Sequence, residues 1–138
     1  MDLDFVTAET EHFKLKSGKC KVLSIYDGDT CTVSTFYPGM FLPIMHTVRL
    51  YGVDTPELHP PKDMQGREHH VMRARLARDT LRDLVLDKVC SFEIRGNDKY
   101  GRLLADLLLP DGSNVSEFLI RRGVAQEYFG GKKNDVTL

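Results

Sequence analysis

Arg49-Leu50-Tyr51-Gly52-Val53-Asp54-Thr55-Pro56-Glu57 places one guanidinium and two carboxylates within nine residues. In Thr47–Tyr51 the apolar Val48 and Leu50 alternate with Thr47, Arg49 and Tyr51, so a strand here buries the first pair and sends Arg49 to the opposite face. Gly52 lets the backbone turn. Pro56 restricts Thr55 to extended conformations, which leaves Asp54 and Glu57 on a short, stiff loop able to hold a metal or a substrate. Taken alone, the stretch also reads as a strand end closed by a solvated Asp-Thr-Pro turn. Two further segments favour chemistry. Tyr26-Asp27-Gly28-Asp29-Thr30 sets two carboxylates on a tight turn, and Asp98-Lys99-Tyr100-Gly101-Arg102 brings a second arginine to the start of another strand.

A hard cation such as Ca²⁺ takes six to eight oxygen ligands at roughly 2.3–2.6 Å. Asp29, Asp54 and a backbone carbonyl near Thr55 supply only a few of these, so waters and a substrate phosphate have to complete the shell. An ion held in this way polarises a phosphoryl oxygen and orients a water, and Glu57 is the carboxylate placed to take that water's proton. Arg49 and Arg102 would clamp the phosphate with forked, charge-assisted hydrogen bonds that tighten as charge builds at phosphorus. His59, His69 and His70 do not make a zinc site, because adjacent histidines on a helix point about 100° apart.

The elements that must position these groups follow from periodicity and turn chemistry. Residues 1–18 read as an acidic tail, with a short extra strand over His12–Lys16 before Ser17-Gly18. Lys19–Tyr26 is a strand with Cys20, Val22 and Ser24 on one face, and Asp27-Gly28-Asp29 turns it into Thr30–Phe36. The connection from Tyr37 to His46 contains Met40, Phe41, Leu42 and Ile44, and an apolar segment of this kind is expected to pack within the chain, with a homodimer through residues 37–46 as the alternative. After the Thr47–Tyr51 strand, Ala74, Ala77, Leu81, Leu84 and Val85 recur at helical spacing, opposite a charged face carrying Arg73, Arg75, Arg78 and Arg82. Val89–Ile94 and Arg102–Leu109 are two more strands. Asn114 caps a short helix that stops at Gly123. The sum is a β-rich α+β domain over residues 19–129: a five-stranded barrel of the oligonucleotide-binding type, with one long helix after strand 3 and a short helix near the C-terminus. Residues 130–138 have no core pattern.

The chain has 138 residues, enough for one core, with 41% hydrophobic and 28% charged residues. No apolar run approaches the roughly twenty residues of a membrane helix. The acidic start, Met1-Asp2-Leu3-Asp4, lacks a secretory pattern, and three cysteines without a Cys-x-x-Cys pair read as reduced core thiols; the expected location is the cytoplasm. A net charge of −1 argues that any grip on nucleic acid is local.

The three segments Asp27–Thr30, Arg49–Glu57 and Asp98–Arg102 occur in an order and with separations that resemble the staphylococcal nuclease (thermonuclease) family, and the resemblance covers about Lys19 to Phe129. It implies an oligonucleotide-binding barrel that hydrolyses DNA and RNA with Ca²⁺, single strands preferred, to 3′-phosphate and 5′-hydroxyl ends. Position by position, it implies Asp29, Asp54 and the Thr55 carbonyl as calcium ligands and Asp27 as an outer-shell acid. It also implies Glu57 as general base and Arg49 and Arg102 as phosphate clamps. Lys99 and Tyr100 match positions flanking the nucleotide's phosphate and sugar, and Tyr128 is a further substrate contact. This chain departs from the family in three ways: the final helix is expected to be missing, the 37–46 connection is longer and more apolar, and the charge is slightly negative. The competing reading is a non-catalytic nucleic-acid- or protein-binding module on the same barrel.

Overall fold

Side-chain alternation builds most of this molecule, and the exceptions to it shape the site. The computed structural model describes residues 16–36, 39 and 41–130. In chain order the elements are β1 (Ser17–Asp27), β2 (Thr30–Thr35), β3 (Ile44–Leu50), β4 (Val53–Asp54), α1 (Arg67–Val85), β5 (Val89–Asn97), β6 (Leu103–Leu108), α2 (Val115–Arg121) and β7 (Gln126–Glu127). Five strands close into a barrel in the order β1-β2-β3-β6-β5, and β4 and β7 form a separate two-stranded sheet. The hairpin-linked neighbours are antiparallel, whereas β3 and β6 pair in parallel. A parallel pair needs a long crossover, and the chain between them carries α1 and β5.

Inward residues of the strands, among them Val22, Val33, Val48, Leu50 and Leu107, meet Ala77, Leu81 and Val85 of α1 and Leu119 of α2 in one core. No helix among the described residues is long and apolar enough to cross a membrane. Cys20, Cys31 and Cys90 are buried and unbridged.

Several expectations are corrected. Ser24 does not share the inward face of Cys20 and Val22. The β1–β2 register moves from Val22↔Val33 to Ser24↔Thr32. That bulge leaves Ser24 exposed and turns Ile25 against the core. Ser17 and Gly18 are no break either, since they pair with Glu93 and Phe92. A Cβ on Gly18 would lie 3.2 Å from the Phe92 ring, so the glycine serves close packing. Residues 12–15 of the expected extra strand lie outside the described residues, as do Tyr37, Pro38 and Met40.

The apolar connection does not fold back in its described part, for Phe41 is 97% and Leu42 73% exposed. The reason is that β3 begins at Ile44, opposite Thr35. Pairing runs to the end of β2, and the described residues beyond it, Phe36, Phe41 and Leu42, are exposed. β4 and β7 escape notice because two residues show no period.

The short helix α2 begins and ends as its sequence dictates. The Asn114 side chain accepts the Glu117 N–H at α2's start, and Gly123 follows its end at φ 76°.

Candidate active site

The β1–β2 turn is the tightest piece of the site. Gly28 has no Cβ because one would sit 2.7 Å from the Ala77 Cβ and 2.9 Å from the Thr55 side chain. The turn therefore lies directly on α1 and on the loop after β4, and Asp29 spans the gap. The Thr55 N–H and hydroxyl each donate to Asp29 Oδ2 at 3.1 Å, and the Thr30 hydroxyl donates to Oδ1 at 3.0 Å. Asp27 accepts the Asp29 N–H at 3.1 Å. Burial, followed by repulsion from Asp29, pushes the Asp27 carboxyl up to about 7.

Arg49 stands beside Thr30 across the β2–β3 ladder and beside Leu104 across the β3–β6 ladder. Its Nη1 donates to the carbonyls of Leu50 (3.0 Å) and Val53 (2.8 Å) and lies 3.5 Å from Asp29 Oδ2. Its Nη2 donates to Asp54 Oδ1 at 3.2 Å. The guanidinium is thus held rigidly between two carboxylates, with its side chain only 13% exposed.

Arg102 is placed by a different device. Asp98 Oδ1 accepts the N–H groups of Tyr100 and Arg102, both at 2.9 Å, while Oδ2 accepts the Arg102 guanidinium. These bonds to its charged form draw the Asp98 carboxyl below the usual range against the opposing effect of desolvation. Arg102 and Lys99 both approach the exposed Tyr100 ring, at 5.5 and 5.1 Å from its centroid.

The small sheet then brings in the far end of the chain. Val53 pairs with Glu127 and Asp54 with Gln126, and the Tyr128 N–H donates to the Gly52 carbonyl at 3.0 Å. The Phe129 ring meets Tyr51 edge-on at 5.4 Å. The guanidinium of Arg95, paired with Asp106 at 2.8 Å, lies 5.7 Å from the Tyr51 ring centroid.

The two turns, the β3–β4 segment and the Tyr128–Phe129 pair border one open cavity of about 570 Å³. Its lining includes Asp27, Asp29, Arg49, Asp54, Thr55 and Glu57 together with Lys99, Tyr100, Arg102 and Tyr128. Every site residue singled out from the sequence therefore faces the same space, although Asp29 and Arg49 lie 53 positions from Arg102 or more along the chain. Glu57 is exposed at the rim and makes no ion pair among the described residues. His59, His69 and His70 do not line the cavity.

Sequence reasoning missed Asp98, Tyr51 and Ser116, whose hydroxyl donates to the Tyr51 carbonyl at 2.9 Å. Asp98 had a readable signal, an Asx-type turn ahead of Tyr-Gly-Arg. Tyr51 and Ser116 had none, because their partners are distant in sequence.

Residues 47–137 match the family described as Staphylococcal nuclease homologue. An "Uncharacterized endonuclease" of Escherichia coli O157:H7 is 31% identical over 108 residues, covering 78% of this chain and 60% of that protein. "Endonuclease YhcR" of Bacillus subtilis (strain 168) is 32% identical over 114 residues, 76% of this chain and 8% of that one. The chain thus spans 60% of the length of the Escherichia coli relative. Barrel order, the convergence of three separated motifs on one cavity and the match over most of its length lead to one assignment: the chain belongs to the staphylococcal nuclease family.

Proposed function

We propose that this domain is a Ca²⁺-dependent nuclease that hydrolyses phosphodiester bonds of DNA or RNA, preferably single-stranded, to 3′-phosphate and 5′-hydroxyl ends. The observation that carries the reading is the meeting of Arg49, Arg102, Asp29, Asp54 and Glu57 around one open cavity. The relatives' printed names, both endonucleases, support it.

The donor set fits a hard cation. Asp29 and Asp54 are buried carboxylates, and the Thr55 backbone adjoins them. With only two carboxylates and a backbone carbonyl offered to it, the ion would share its shell with water and substrate. When bound, Ca²⁺ would supply Lewis-acid stabilisation of charge on the phosphate.

The chain's own residues do the rest. Asp29, fixed by Thr30 and Thr55, and Asp54, fixed by Arg49, hold the ion's side of the pocket. Arg102, aimed by Asp98, donates to the phosphate oxygens from the loop before β6, and Arg49 donates from beside the two acids. Glu57, exposed at the rim, accepts the proton of the attacking water. Lys99 and Tyr100 flank the adjacent phosphate and sugar, and Tyr128 borders the nucleotide.

The test is to incubate the purified protein with single-stranded DNA in Ca²⁺ and in chelator, alongside Arg102→Ala and Glu57→Ala. Cutting that needs Ca²⁺ and fails in both variants supports the proposal. Chelator-insensitive binding without cutting under any condition replaces it with the non-catalytic binding module.

A further inference from the structure

Asp106 is a buried carboxylate that the proposed chemistry does not use. It stands on β6 directly opposite Glu93 of β5, and two acids facing each other across a ladder repel unless a cation lies between them. Arg95 is that cation. Its Nε donates to Asp106 Oδ2 at 2.8 Å, and its Nη2 lies 2.8 Å from the same oxygen and donates to Glu93 at 3.3 Å. The other oxygen of Asp106, Oδ1, accepts from Asn114 Nδ2 at 3.3 Å, and Asn114 is the residue that caps α2. Asp106 thus ties β5, β6 and the start of α2 to one guanidinium.

That guanidinium lies 5.7 Å from the Tyr51 ring centroid, within the reach of a cation–π contact. Tyr51 lines the cavity, whereas Arg95 and Asp106 do not. The Tyr51 backbone is fixed separately, its N–H donating to the Ala105 carbonyl and its carbonyl accepting the Ser116 hydroxyl, both at 2.9 Å. A fixed backbone still leaves a ring its side-chain rotations, and these are limited by Arg95 and by the edge-on Phe129. We infer that Arg95, held by Asp106, is a positioning residue that sets the Tyr51 ring for contact with a nucleotide in the cavity. The inference rests on the nuclease reading for what enters the cavity. A direct grip of Arg95 on a phosphate fits less well, because its Nε and Nη2 are already engaged by two carboxylates. A purely structural role fits less well too, because the Arg95 side chain is 47% exposed and ion pairs open to solvent add little stability.

The experiment uses the full chain in chelator, so that no strand is cut, and measures anisotropy of a labelled single-stranded oligonucleotide of about 4 nucleotides across a salt series. The variants are Arg95→Met, Asp106→Asn, Tyr51→Leu, and Tyr51→Leu combined with Arg95→Met. Arg95→Met and Asp106→Asn should each weaken binding about five- to tenfold, the low end of one base–aromatic contact, with the salt slope of the wild type. Tyr51→Leu should weaken it at least as much, and adding Arg95→Met to that variant should change nothing further. A further loss in the combined variant overturns the inference, because Arg95 then acts by a route other than Tyr51. A salt slope lower by roughly one in Arg95→Met, the mark of a lost phosphate contact, overturns it as well, and so does wild-type affinity in that variant. Asp106 is buried and its replacement is the more disruptive, so Arg95→Met, at a half-exposed side chain, decides. Hydrolysis of bis(p-nitrophenyl) phosphate by the wild type in Ca²⁺ tests the nuclease reading separately. If that diester is left intact while strand binding depends on Arg95 through Tyr51, the positioning role stands and the nuclease reading fails. A wild type that binds no oligonucleotide overturns the positioning role.

Discussion

Asp98 takes hold of Arg102 twice, accepting its backbone N–H and its guanidinium with separate carboxylate oxygens. The acid thus fixes both where the arginine begins and where it points. Removing it should leave the barrel intact and lower turnover. Asp98→Asn is expected to reduce kcat by about ten- to a hundredfold with little change in the thermal midpoint, because the loop is exposed and the loss is one of aim. The pH dependence follows from the depressed carboxyl. A folded-state value below the unfolded one means that the pair's contribution is complete above the ordinary carboxylate range and is lost as pH falls through the folded value. An acid-side decline in kcat that Asp98→Asn abolishes would bear this out; an identical profile in both proteins would refute it.

The two arginines should differ in what their loss does to stability. Arg49→Ala and Arg102→Ala are each expected to lower activity by about a thousandfold, as for charge-stabilising arginines in phosphoryl transfer. Only Arg49 is nearly enclosed and paired with two buried carboxylates. Its removal takes the cation from two buried acids and should also cost about 3 kcal/mol of stability, whereas Arg102→Ala should cost less than about 1 kcal/mol. Urea titrations of the two variants measure the difference.

Gly28→Ala should damage fold and site together. The new methyl collides with Ala77 and Thr55, so the turn has to lift off α1. A destabilisation of about 1–3 kcal/mol is expected, with weaker Ca²⁺ dependence of activity because Asp29 moves with the turn. A variant as stable and as active as the wild type would contradict the packing argument.

Calcium should stabilise the folded protein as well as support turnover, since an ion that binds only the native state shifts unfolding by mass action. Saturating Ca²⁺ should raise the thermal midpoint, chelation should reverse the rise, and Asp29→Asn or Asp54→Asn should remove the response. A midpoint indifferent to Ca²⁺ in the wild type would count against the ion site.

The buried thiols predict an alkaline limit. Burial pushes Cys20 and Cys31 up from 9.0 to about 12. Their contribution to stability is complete below the unfolded value near 9.0 and fades as pH rises toward the folded value. Stability measured by urea should therefore decline above about pH 9, less steeply in Cys31→Val. At neutral pH a thiol reagent should label the native protein slowly and the unfolded protein at once.

The barrel could be read from the sequence wherever a strand alternated or a turn carried Gly, Asp or Asn, as in Thr30–Thr35 and at Asn114. It could not be read where tertiary contacts overrode the period. The bulge after Val22 inverted the expected facing of Ser24 and Ile25, and the early start of β3 turned part of an apparent loop into strand. The acids and arginines lining the cavity stood out because their types are costly to place together without a reason. Tyr51, Asp98 and Ser116 did not, because a supporting residue is defined by a partner that only the fold supplies.

The short pairing of Val53-Asp54 with Gln126-Glu127 has a consequence for timing. Ribosomes deliver the amino-terminal half first, so both acids and Arg49 emerge long before the segment that clasps Gly52 through Tyr128. A nascent polypeptide halted short of that point would hold the chemical groups without the wall behind them. The site would then be complete only once residues 126–128 had emerged and paired.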